Sequence, residues 1–249
     1  MNNTSDMKPQ TLYVFLALAL AGAWQALHWM IGGDALASPA QAVTTLVALM
    51  QTGDFWSHTL ETAKALIYAL AIGLVGGLAA GLLLGVNRLA RDVAEPILLN
   101  VYAIPKVTLY PLVLLVFGLG LSAKVAFGVM HGIIPIMVFT MNAIRQMRPV
   151  LLRAGQSMRL TRRQSILHIV LPAILPEIAV GLRLAFSLTL LGVLIGEMFA
   201  SQRGLGFLLT NAMNLGDMRT IMAVALLLTT FALGCNAGLM RLGRRLSPR

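Results

Sequence analysis

Residues 65–86 read ALIYALAIGLVGGLAAGLLLGV, 22 positions without a charge. A helix needs roughly 20 apolar residues to cross the hydrocarbon of a bilayer, so this stretch is a membrane span. Within it Ala65, Ala69, Gly73, Gly77, Gly81 and Gly85 recur every fourth residue. That register places small side chains on one face of the whole helix, where a second backbone can approach closely. The period does not say whether that neighbour lies in the same chain or in a second copy.

Working outward, charge-free stretches run from Leu12 to Ile31, Val125 to Ile144 and Thr220 to Met240. Two more are apolar but carry charge: Ile97 to Phe117 with Lys106, and Ile178 to Ala200 with Arg183 and Glu197. The expectation is an all-α membrane protein of six transmembrane helices. Composition agrees. Of 249 residues, 58% are hydrophobic and 11% charged, whereas soluble domains carry about half and about a quarter. Mean hydropathy is +0.82. A soluble enzyme and a disordered chain are both excluded. The first span, at 20 residues, exceeds the roughly 7–15 of a signal-peptide core and is expected to stay as an anchor.

The 19 Lys and Arg against 9 Asp and Glu give a net charge of +10. Their distribution speaks for a membrane protein with basic cytoplasmic connections, not for a nucleic-acid binder. Lys8, Arg88, Arg91, Arg145, Arg148, Arg153, Arg159, Arg162, Arg163, Arg241, Arg244, Arg245 and Arg249 fall on one side of a six-span topology. Lys124, Arg203 and Arg219 fall on the other. The positive-inside rule then places both termini in the cytoplasm. One cysteine, Cys235, excludes an internal disulfide, and His28, His58, His131 and His168 lack metal-ligand spacing.

Pro105 and Pro111 interrupt the third span, and Pro135 the fourth. Each proline removes a backbone donor. Irregular backbone at membrane depth is tolerated only inside protein or along a wet cavity, so these helices are expected to surround a path. Lys106, about ten residues into its span, would lie roughly 15 Å deep. Lys106, Tyr110, Arg183 and Glu197 are the candidates for that path, because intramembrane charge is costly and faces the bundle interior or water. Structural pairing, for example of Glu197 with Lys64, is the competing reading. Gly73, Gly77, Gly81 and Gly85 are the candidates for helix packing.

In the longest basic connection, residues 151–158 are expected to form a short amphipathic helix. Thr161 and Gln164 match a capping box for a second helix starting at Arg162. Leu171-Pro172 and Pro176 are expected to break that helix before span five.

Ala154-Gly155 followed by Ile169-Val170-Leu171-Pro172 resembles the cytoplasmic EAA loop of type I ATP-binding-cassette (ABC) importer permeases. The family pattern is Glu-Ala-Ala, three residues, Gly, nine residues, then Ile-x-Leu-Pro. Glu95-Pro96, Ile104-Pro105, Phe117-Gly118-Leu119-Gly120, Gly181-Leu182-Arg183, Gly196-Glu197-Met198 and Gly204-Leu205-Gly206 resemble its branch for nitrate, sulfonate and taurine. Two positions depart: the family's Glu falls on Arg153 and its turn Gly on Arg159. A left-handed Arg159 would cost roughly 1–2 kcal/mol.

The resemblance implies a MetI-like bundle with a cytoplasmic coupling helix, contacting an ATPase through Arg153, Ala154, Gly155, Ser157, Met158, Arg159, Thr161 and Gln164. It implies a type-1 transmembrane domain over 54–245, preceded by a tail, first helix and periplasmic segment (1–53) and followed by a tail at 246–249. It implies two permease copies in a homodimer, two ABC ATPase subunits and a periplasmic solute-binding protein, in a bacterial inner membrane. The sequence holds no Gly-x-x-x-x-Gly-Lys-Ser/Thr, so the chain builds no P-loop. No cofactor is expected in this chain; ATP and magnesium belong to the partner. The expected function is a non-enzymatic permease for a small anionic solute. A secondary or channel-like transporter without an ATPase is the alternative. Neither His-Glu-x-x-His nor Gly-x-Ser-x-Gly occurs to support an intramembrane enzyme.

Overall fold

The computed structural model describes residues 9–33 and 35–246. Lys8 and Arg249 of the charge count lie outside them, as do the side chains of Ala154 and Arg162. The described residues contain helices and no strand. The chain divides into two compact units, Met1–Trp56 with Leu209–Thr230, and Ser57–Leu208 with Phe231–Arg249.

The first unit contains α1 (Pro9–Ile31) and α2 (Pro39–Met50). The Trp24 indole donates to the Ala37 carbonyl at 2.9 Å, fixing the return of the chain after α1. Ser38 then starts α2 with a reciprocal capping box to Gln41, and Pro39 occupies the first turn, where no N–H partner is needed. Leu16, Leu18 and Leu20 of α1 are exposed, as a lipid-facing helix requires.

In the second unit, α3 (Gly53–Val86), α6 (Leu121–Gln146) and α9 (Leu171–Ala200) pack against one another. The small-residue face of α3 meets α6 of the same chain. A Cβ on Gly77 would sit 2.9 Å from Ile136, and one on Gly81 2.7 Å from Thr140 and 2.9 Å from the Met137 carbonyl oxygen. A Cβ on Gly85 would meet Ile144 at 2.7 Å, while Gly73 has its nearest neighbour at 4.0 Å. Leu66, Phe186 and Leu190 bury against Cys235 and Leu239 of α11 (Met218–Leu246).

Among the described residues five helices are long and apolar enough to cross a membrane, and a bent pair counts as a sixth if it is one span. That pair corrects the expected third span. Instead of one helix over Ile97–Phe117, α4 (Arg88–Ala103) and the segment Lys106–Phe117 meet at 83°. Asn87 caps α4 by accepting from the Leu89 and Ala90 amides. Ile104 is extended at ψ 131°, the conformation a following proline imposes. The chain resumes as a 3-10 turn, Lys106–Leu109, and α5 (Tyr110–Phe117). The depth assigned to Lys106 assumed a straight helix and does not hold.

The expected break before the fifth span is also corrected. From α8 (Arg162–Ser165) the chain passes through a π turn, Ile166–Val170, straight into α9, with Pro176 inside the helix. The Leu171 amide bonds the Ile166 carbonyl, five residues back. A widened turn displaces the carbonyl that the Pro172 ring would strike in a regular helix. The apolar helix therefore runs unbroken over Arg163–Phe199.

Candidate functional site

The basic connection folds as a closed hairpin of short helices. In α7 (Pro149–Ser157) Gly155 is buried, and a Cβ there would meet the Ile169 Cδ1 at 2.7 Å. Absence of a side chain lets α7 lie on the π turn. Arg159 has φ +52°. It occupies the left-handed position after the helix, and the Leu160 amide reaches back to the Gly155 carbonyl at 3.1 Å. This is the Schellman closure of a helix end, normally built on glycine. Gln164 accepts from the Thr161 amide at 2.9 Å and donates its own amide to the Thr161 hydroxyl at 3.3 Å, completing the capping box. Arg153, Ser157, Met158, Arg159, Thr161 and Gln164 are exposed together around this turn.

Because Arg159 pays a backbone penalty that glycine avoids, Arg159→Gly is expected to stabilise the turn by about 1 kcal/mol, net of glycine's extra unfolded-state entropy. Amide exchange at Leu160 should slow about fivefold, since local opening governs exchange. Unchanged or faster exchange would contradict this assignment of strain.

A second constellation closes around Glu197, which is fully buried. Thr62 stands 2.8 and 3.0 Å from its two carboxylate oxygens and donates its one proton there. The same Thr62 oxygen accepts the Leu205 amide at 2.8 Å, and the Gly206 amide donates to Glu197 Oε2 at 3.0 Å. His58 Nδ1 accepts the Gly204 amide at 3.0 Å. The Lys124 ammonium lies 3.9 Å from both Glu197 and Glu61 and donates to the Arg203 carbonyl at 2.7 Å. Gly204, at φ +128°, packs so tightly on the Glu197 carboxylate that no Cβ fits. α3, α6 and α9 thus clamp the loop 201–206, beside a cavity of about 640 Å³ lined by Glu61, Lys124, Ser201, Gln202 and Arg203.

The sequence marks Glu197 as a charge in need of a partner and offers Lys64 as an example. The structure pairs Lys64 with Glu61 at 3.9 Å, one helical turn away. His58, Thr62 and Lys124 were not singled out, because their partners Gly204 and Glu197 lie 73 to 146 positions away and such pairs carry no local signal. The remaining candidates are at separate places. Tyr110 is buried and donates to the Gly196 carbonyl at 2.6 Å, edge-on to Phe127 at 4.9 Å. It fastens α5 to α9 after the break. The Lys106 ammonium turns back to the Tyr102 carbonyl at 2.9 Å, lying 4.5 Å over the Tyr102 ring. Arg183 is exposed and lines a different pocket, with Glu177 and Arg244.

The described residues form a helical bundle with a short closed helix pair in its longest basic connection. Residues 72–249 match the family model described as binding-protein-dependent transport system inner membrane component. The chain belongs to that family and is the permease subunit of an ABC importer, a multi-pass inner-membrane protein. It is 26% identical over 218 residues to the taurine transport system permease protein TauC of Escherichia coli, covering 86% of this chain and 79% of that one. It is 31% identical over 236 residues to the riboflavin transport system permease protein RibX of Chloroflexus aurantiacus, covering 93% and 86%. The fold superposes on a chain of the inward-facing MetNI methionine ABC transporter with TM-score 0.67 at 22% identity, over 76% of this chain and 94% of that one.

Proposed function

We propose that the permease moves a small anionic solute into the cytoplasm, driven by a separate ATPase that docks on residues 153–164. The observation that carries this reading is the exposed turn after α7, held rigid by the Schellman closure, the capping box and the buried Gly155. A rigid projection is what a push from an ATPase requires. Arg153 and Arg159 give it a basic surface, which an acidic groove on the partner would complement. Both termini lie in the cytoplasm in this reading, supported by the distribution of Lys and Arg. The type-1 domain spans 54–245, two copies pair in the membrane, two ATPases bind ATP and magnesium, and a binding protein delivers solute to the opposite face. Lys106 stands at the break in the third span as a weak, reversible attraction for a passing anion. Taurine, named for one relative, is a zwitterion whose sulfonate carries the negative end that this reading requires.

Met158 offers a clean test because it is 70% exposed, so replacing it leaves the permease core intact. Met158→Asp is expected to lower recovery of the cognate ATPase with the permease at least about tenfold, since a carboxylate without a partner would be buried at the contact. Permease yield should stay unchanged. Normal ATPase recovery would remove this turn from the docking surface.

A further inference from the structure

Toward the N-terminal end of α9, that helix and α11 line a pocket of about 290 Å³. Its charged lining is Glu177, Arg183 and Arg244. The two helices touch at its floor, where a Cβ on Gly243 would rest 3.4 Å from that of Ala179. Asn236 donates to the Ser187 hydroxyl at 2.9 Å and holds them together further along. Among the described residues neither Arg183 nor Arg244 forms an ion pair; Arg244 contacts only the sulfur of Met240, at 3.8 Å. Two guanidiniums of like sign thus share a small pocket with one carboxylate.

The walls identify the occupant. Val180 and Met240, which line the pocket, are 48% and 39% exposed, an apolar surface beside the charges. Arg183 stands fourteen residues from Glu197, roughly 21 Å along α9. With hydrocarbon about 30 Å thick, an arginine at that distance from the opposite end extends its guanidinium to the nearer interface, as long basic side chains do. Arg244 closes the last turns of α11 at the same level.

We propose that this pocket binds the headgroup of phosphatidylglycerol or a closely similar anionic phospholipid. The phosphodiester lies between Arg183 and Arg244, each presenting paired N–H donors to its oxygens. Glu177 accepts a hydrogen bond from a hydroxyl of the glycerol headgroup, and the acyl chains leave the pocket past Val180 and Met240. Basic pockets between spans at the cytoplasmic face suit such headgroups. The site rests on the proposed topology only in naming the leaflet.

The test is the association of spin-labelled phosphatidylglycerol with the full-length permease in phosphatidylcholine vesicles, relative to spin-labelled phosphatidylcholine. Each of Arg183→Gln and Arg244→Gln is expected to lower that selectivity about fivefold, and the double variant about thirtyfold. Arg219→Gln, with the same loss of charge elsewhere, should leave it unchanged. Arg183→Lys should retain part of it, which guards against a folding defect in the glutamine variant. Selectivity unchanged in the double variant, or lowered equally by Arg219→Gln, would overturn the proposal. So would inorganic phosphate displacing the lipid, since the pocket would then hold a free anion. The readout needs neither ATPase nor transport, so its failure is separate from any failure of the importer reading.

Discussion

Glu197→Ala is expected to cost about 3–5 kcal/mol, the loss that follows removal of one partner from a buried ion pair. The variant strands the Lys124 ammonium, whose side chain is 3% exposed, with Glu61 at 3.9 Å as its remaining carboxylate. It also removes one acceptor from the Gly206 amide and the charged acceptor from Thr62, whose hydroxyl then has the His58 carbonyl at 3.3 Å. Folded yield in detergent should fall steeply and the thermal midpoint with it. Glu197→Gln keeps an acceptor oxygen for Thr62 and Gly206 and should lose much less. The decisive comparison is Glu197→Ala with Lys124→Met added. Because most of the cost is an uncompensated charge, the second change should restore part of the stability. Additive losses would show that Lys124 and Glu197 are not coupled.

Gly81→Leu is expected to prevent α3 from seating on α6. A Cβ at Gly81 already falls 2.9 Å from the Met137 carbonyl oxygen, and main chain cannot swing aside as a side-chain tip can. Inserting methylenes into a packed core costs roughly 1–3 kcal/mol even where side chains can yield, and here the helices themselves must part. Loss of folded protein is the expected result. The graded control lies in the same helix. Gly73 has its nearest neighbour at 4.0 Å, and Gly76 meets only the Ile133 Cδ1, at 3.4 Å. Alanine at either should be tolerated, whereas Gly77→Ala and Gly81→Ala should each lower the thermal midpoint. Equal tolerance at all four positions would mean that the seam is looser than its geometry.

These two sites differ in how far the sequence reveals them. The glycine face was legible because a four-residue period is local, and its helix needed no other information. Its partner was not legible, since a period names a face and not what covers it; α6 of the same chain supplies Ile136 and Thr140. The capping box at Thr161 was also local and could be read directly, whereas the left-handed Arg159 was suggested only by the turn glycine of the resembled family falling there. Glu197 could be recognised as a charge in need of a partner. Choosing Lys124 over Lys64 needed the packing of α6 on α9, and Lys124 looked like an ordinary loop cation at a helix start. The prolines misled in opposite directions. Pro105 bends the chain through 83°, while Pro172 and Pro176 leave a helix that continues. Proline withdraws an N–H in each case, but only at Pro172 does a π turn absorb the mismatch.

In the function proposed above, the permease transports nothing by itself and is driven through the turn at residues 153–164. The most direct measurement is solute uptake into proteoliposomes holding the permease with its cognate ATPase and binding protein, with ATP supplied on the ATPase side. Uptake is predicted to require all three proteins and hydrolysable ATP, and to fail with Met158→Asp. Uptake driven by a proton gradient through the permease alone would contradict the account.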